Sequence, residues 1–244
     1  MLLLLPNILY EEGWGDLPQN LRDKVASLDM LVAESEKVAR QYLRHFGQTL
    51  PIDVFNRHSS QQDIDFFLRQ MQEGKVLGLI SDAGLVAVAD PGSALVEACH
   101  KAKLPVKGLG GPSSITLGLM LSGFSANRFS FYGYLPKSDP EKKKKLLLLE
   151  SRSEEEGSAE IFIETPYRAK ALFLFLLDTL QRDTLLFVGK ELGSANEYAY
   201  SQRVASWKKS LISWGKDRAI FILYRGHFFL AKSRQNLIRR RNRR

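Results

Sequence analysis

Residues 79–92 read Leu-Ile-Ser-Asp-Ala-Gly-Leu-Val-Ala-Val-Ala-Asp-Pro-Gly, an apolar strand that breaks into small and acidic residues and restarts at Pro91-Gly92. Such a break suits a ligand loop. In open parallel sheets a ligand sits outside the carboxyl ends of the strands, where glycine lets the backbone approach and a helix N-terminus follows. A second loop of this kind, Gly110-Gly111-Pro112-Ser113-Ser114, follows a stretch at 106–109 that reads as a strand and precedes a helical pattern at 115–121. Proline near the first turn and serine as cap are helix-start signals. Two small-residue loops on successive strand ends predict one shared crevice. Two further polar side chains fall at strand ends: Glu34 in Ala33-Glu34-Ser35 and His58 in Asn56-Arg57-His58-Ser59. A carboxylate or imidazole placed there can act as a general base, although His58 reads equally well as a surface-loop histidine. The four histidines, His45, His58, His100 and His227, lack metal-ligand spacing, so no metal is expected.

The elements that must position these residues alternate. Strands are predicted at 1–5, 28–33, 52–55, 76–80 and 106–109, and helices at 38–46, 64–72 and 115–121. That order argues for an α/β fold with a parallel sheet. Residues 129–134 read as the last strand of this unit, and the polar, proline-bounded segment 136–140 reads as a linker, which puts the domain boundary at 135/136. Strands at 160–164, 184–188, 197–204 and 219–224 and helices at 167–180 and 206–213 then build a second unit, over residues 136–226. Residues 197–204 alternate polar and apolar, the pattern of an antiparallel strand, so the second sheet is expected to be mixed. Four lysines at 142–145 followed by four leucines at 146–149 open an amphipathic helix whose acidic end, 154–156, is expected to fray.

With 244 residues, 44% of them hydrophobic, the chain can bury a substantial core in one large or two small domains. Its single cysteine, Cys99, permits no intrachain disulfide and points to a reducing cytoplasm; its spacing from Leu95 makes it a core residue. The apolar start at 1–5 is too short for a signal peptide or membrane span. The net charge of +8 is concentrated at the end: the last twenty residues hold eight Lys or Arg and no acid, which leaves 27 basic residues facing 27 acidic ones. Residues 227–244 are therefore expected to be a flexible basic tail able to meet phosphates, or simply to aid solubility.

Five blocks then carry a resemblance. Ser81-Asp82-Ala83-Gly84, Asp90-Pro91-Gly92, Gly111-Pro112-Ser113-Ser114, residues 131–136 (Phe-Tyr-Gly-Tyr-Leu-Pro) and residues 162–168 (Phe-Ile-Glu-Thr-Pro-Tyr-Arg) occur in this order across most of the chain. The chain resembles the tetrapyrrole methylase superfamily of S-adenosylmethionine-dependent methyltransferases, and within it the small-subunit ribosomal RNA (cytidine-2'-O)-methyltransferase I branch. The resemblance implies a two-domain fold, with a parallel N-terminal sheet, a mixed C-terminal sheet and the cofactor cleft between them. It also implies a homodimer and an RNA substrate in the small ribosomal subunit. Carried over by position, it places Pro6, Asp82, Ala83, Gly84, Ser113, Ser114, Glu164, Leu192 and Ala219 at S-adenosylmethionine. Helix capping explains Ser113 and Ser114 as well, and plain packing explains Pro6, Leu192 and Ala219. The chain departs from the branch where the latter carries His-x-His-Asn, reading Asn56-Arg57-His58-Ser59 instead. Methylation of a tetrapyrrole or other small molecule, and RNA binding without turnover, stay open as alternatives.

Overall fold

The computed structural model describes residues 1–208 and 212–226 in two compact units, divided between Ser113 and Ser114. The first holds β1 (Leu2–Leu4), α1 (Leu21–Ala26), β2 (Met30–Ala33), α2 (Glu36–Phe46), β3 (Ile52–Val54), α3 (Gln61–Gln72), β4 (Leu77–Ile80), α4 (Gly92–Lys101) and β5 (Val106–Gly108). Its five strands are all parallel, in the order β3-β2-β4-β1-β5. The apolar run of β4 is buried at every position, as a parallel strand covered on both faces must be. Helix α2 shows how sequence sets a boundary. The Ser35 hydroxyl accepts the Val38 amide at 3.3 Å, Ala39, Tyr42, Leu43 and Phe46 form the buried stripe, and Gly47 ends the helix at φ 67°. One face of the sheet gathers Leu21, Val25, Tyr42 and Phe46; the other gathers Phe67, Met71, Leu95 and Cys99. Since all strands run one way, their carboxyl ends, and the loops that follow, lie along one edge.

The second unit holds α5 (Ser114–Ser122), β6 (Phe129–Tyr134), α6 (Asp139–Glu156), β7 (Ala159–Glu164), α7 (Ala169–Thr179), β8 (Leu185–Lys190), β9 (Tyr198–Arg203), α8 (Val204–Trp207) and β10 (Ala219–Tyr224). The sheet order is β6-β7-β10-β8-β9, with β6 parallel to β7 and the other pairs antiparallel. This is the mixed sheet expected from residues 197–204.

One expectation needs correction. Residues 129–134 do not close the first sheet; β6 pairs with β7, from Phe129 opposite Ala159 to Phe131 opposite Ile161. The division accordingly falls at 113/114 and not at 135/136. The reason is packing. Helix α5 lies on the second sheet, where Gly118 approaches so closely that a Cβ there would sit 3.2 Å from the Ile220 Cδ1, and Phe131 joins the same apolar cluster. Two smaller differences follow. Helix α6 does not fray at 154–156, because Arg152 pairs with Glu156 at 3.2 Å and Gly157 supplies the left-handed stop at φ 64°. The helix expected at 206–213 is the short α8, and residues 209–211 lie outside the described residues, as does the tail 227–244. Among the described residues no helix is long and apolar enough to cross a membrane.

Cys99 is fully buried, its sulfur 3.9 Å from the Met71 sulfur, and burial pushes its thiol up to about 11. In native protein it is expected to resist Ellman's reagent and to react as one equivalent after unfolding in guanidinium. Phe221, on central strand β10, stacks on Phe162 and has no exposed surface. Phe221→Ala is expected to lower unfolding free energy by ~3–5 kcal/mol in a denaturant titration.

Candidate functional site

Within the first unit, the end of β1 is clamped between the two loops. The Asn7 side chain donates to the carbonyls of Ser81, at 2.9 Å, and Asp82, at 3.3 Å, and its own oxygen accepts the Ile8 amide. The Asn7 backbone amide donates to the Gly84 carbonyl at 2.9 Å, while the Gly84 amide donates to the Ile8 carbonyl at 3.3 Å. Gly84 adopts φ 71°, a left-handed value natural to glycine, and a Cβ on it would lie 3.0 Å from Leu9. On the other side Gly111 presses against Pro6: a Cβ there would fall 2.2 Å from the proline Cβ. The Pro6 carbonyl accepts the buried Tyr42 hydroxyl at 3.0 Å. By contrast, Gly108 and Gly110 are exposed and nothing lies within 4 Å of where their Cβ would be, so this loop presents bare backbone.

Three carboxylates crowd the same edge. Glu34 follows β2, and Asp82 and Asp90 follow β4. Burial pushes the Glu34 carboxyl above the usual carboxylate range, and the charges of Asp90 and Asp82 push the same way; the Asp82 amide and the Arg57 guanidinium pull it back. Asp82 is likewise raised by burial, against a hydrogen bond from Ser35, and Asp90 by burial and then by Asp82, against the Gly92 and Ala87 amides. The Asp90 Oδ1 accepts the Gly92 amide at 2.6 Å. Sequence reasoning selected Glu34 and Asp82 but not Asn7, Arg57 or Asp90 as site residues. Asn7 sat in plain view after the first predicted strand, and Asp90 within the quoted run. His58 follows β3 in an exposed turn, where its backbone amide donates to the Asn56 side chain at 2.9 Å and its Nε2 accepts Arg57 at 3.2 Å.

Within the second unit, register brings Glu164 and Ala219 to one edge. Ala219, at the start of β10, lies between Glu164, ending β7, and Lys190, ending β8. Buried Glu164 accepts Arg168 through both Nε and a terminal nitrogen, at 3.1 and 2.7 Å, and the Thr165 amide at 2.7 Å. Leu192 and Ala219 are buried in apolar clusters, which accounts for them by packing. Ser114 opens α5. Pro6, Asp82, Ala83, Gly84 and Ser113 thus belong to the first unit, and Ser114, Glu164, Leu192 and Ala219 to the second.

No protein-family model matches the chain. Over 200 residues it is 30% identical to the Ribosomal RNA small subunit methyltransferase I of Vibrio cholerae, covering 82% of this chain and 67% of that protein. The chain belongs to this methyltransferase family. The protein of the same name from Synechocystis is 30% identical over 183 residues, 75% of this chain and 64% of its own length, so the chain spans about two thirds of these relatives. In fold it resembles a diphthine synthase, with a TM-score of 0.68 and 18% identity, covering 93% of this chain and 92% of that one. A uroporphyrin-III-C-methyltransferase from Thermus thermophilus superposes with a TM-score of 0.52 at 14% identity, covering 91% and 90%.

For a methyltransferase of this family the first-unit edge offers fitting chemistry. The bare backbone at Gly108 and Gly110 leaves room for close approach, and the crowded carboxylates favour a ligand that carries positive charge. Gly111→Ala is expected to lower stability by ~1–3 kcal/mol, because Pro6 is fixed in its ring and cannot move aside. Gly110→Ala should stay within about 0.5 kcal/mol, and paired urea melts decide. A carboxyl whose folded-state value is raised binds its proton more tightly when folded. Folding is thus penalised as pH rises from the unfolded value through the folded one. Glu34→Gln is therefore expected to gain stability at pH 7, with the gain closing as pH falls below the ordinary carboxylate range.

Proposed function

We propose that this protein transfers the methyl group of S-adenosylmethionine to a ribose 2'-hydroxyl of small-subunit ribosomal RNA. The substrate reading is carried by relatives named for that subunit at 30% identity over most of the chain. The basic excess of the last twenty residues supports an RNA partner. S-adenosylmethionine, when bound, supplies a methyl group already activated by its sulfonium.

The residues have three tasks: to hold donor and acceptor in line, to exclude water, and to take one proton. Pro6, Asp82, Ala83, Gly84 and Ser113 are our proposed cofactor contacts in the first unit, supported by the Asn7 and Gly111 contacts that hold these loops in place. Ser114, Glu164, Leu192 and Ala219 are the proposed contacts in the second, supported for Glu164 and Ala219 by the shared edge of β7, β8 and β10. Glu34 is the proposed general base. Its raised pKa brings it nearer the operating pH, where a base accepts protons most effectively. His58 is the second candidate, on the neighbouring strand end. We further place the protein in the cytoplasm as a homodimer, in line with the resemblance; exposed Met120 and Leu121 on α5 offer apolar surface for a second copy.

The test is transfer of labelled methyl from S-adenosylmethionine to small ribosomal subunits lacking the modification, followed by nuclease digestion. Label recovered as a 2'-O-methyl nucleotide is the expected outcome; label on a base, or none, would overturn the reading. In the same assay Glu34→Gln is expected to lower kcat by about 10²- to 10⁴-fold with little change in KM for RNA.

A further inference from the structure

The edge of the second sheet where β7 and β8 end and β10 begins carries an exposed aromatic that packing does not explain. Three carboxylates there are each held by a cation: Glu164 by Arg168 at 2.7 Å, Asp217 by Lys190 at 2.9 Å and Glu191 by Arg218 at 2.6 Å. Lys216 differs. Among the described residues no carboxylate lies within ion-pair distance of it, and its Nζ sits over the Tyr167 ring, 5.4 Å from the centroid. Tyr167 is 79% exposed, more than any other large hydrophobic residue described. A tyrosine in that state gives up most of the burial that ordinarily favours an aromatic ring.

The ring is nonetheless presented on a firm base. Tyr167 lies in the turn between β7 and α7, where the Arg168 and Ala169 amides both donate to the Thr165 carbonyl at 3.0 Å. The neighbouring Arg168 is tied down by its paired hydrogen bonds to buried Glu164. A held backbone leaves only the side-chain torsions of Tyr167 to be ordered when something stacks on the ring. The Lys216 ammonium, which no carboxylate among the described residues pairs, lies beside the ring, and an unpaired cation next to an exposed aromatic suits a partner that carries both negative charge and flat rings. A nucleobase offers a π-face to the ring whatever its identity, and the phosphate beside it needs a cation.

We propose that Tyr167 is a stacking platform for an unpaired nucleobase of the RNA substrate, with Lys216 meeting the adjacent phosphate. This rests on the RNA reading above and extends it to a single-stranded stretch of the substrate.

The test is fluorescence anisotropy of the full-length protein with a fluorescein-labelled single-stranded RNA of mixed sequence, across a salt series. Tyr167→Ala is expected to weaken binding by about 5- to 150-fold, the range for one lost base stack, while Tyr167→Phe keeps affinity within about twofold because the ring remains. Lys216→Gln is expected to flatten the slope of log K against log salt by about 0.7, one phosphate contact on a single strand. Wild-type binding that Tyr167→Ala leaves unchanged, with melting temperature also unchanged, would overturn the stacking role and leave the RNA reading standing. Failure of wild-type protein to bind this RNA while it methylates small subunits would overturn the stacking role alone; failure to methylate small subunits would overturn the RNA reading on which it rests.

Discussion

The buried amide of Asn7 is the contact on which the loop-bearing edge of the first unit depends. Only 2% exposed, it ties the end of β1 to carbonyls 74 and 75 residues later. A buried amide left without partners costs ~1–3 kcal/mol, so the loop at 81–84 is held where those partners lie. Strand β1 sits between β4 and β5 in the sheet, so its end is the one position that both loops can reach. Asn7 takes one loop, and the close approach of Gly111 to Pro6 takes the other.

Electrostatics separates the two edges. In the first unit Glu34, Asp82 and Asp90 crowd together and burial disfavours their charge, an arrangement that costs stability at neutral pH. Such a cost is usual where a group must exchange a proton. In the second unit, by contrast, Glu164, Asp217 and Glu191 are each offset by a cation, and Lys216 is left facing an aromatic ring. The first edge favours positive charge or a proton; on the second the carboxylates are already offset.

Much of the fold was legible from periodicity. The first sheet's strand and helix order followed from apolar runs separated by capped helices, and the antiparallel β9 followed from alternation at 197–204. Strand β6 was legible as a strand but not as a member of the second sheet, because strand propensity is local and the choice of neighbour is made by packing partners far along the chain. Helix α6 reached Glu156 because an ion pair and a glycine stop outweighed like-charge repulsion in its last turn.

The site divides along the same line. The loop chemistry was readable along the chain: small residues at 81–84 and 110–114, acids at strand ends, and five ordered blocks that marked the family. Which of those groups meet depended on the folded arrangement. It brought Asp90 and the Arg57 guanidinium within electrostatic reach of Glu34, tied Asn7 to the loop and left Tyr167 in the open. Burial and pKa depend on distances through space, and those distances are set by strand order, which a linear pattern does not encode.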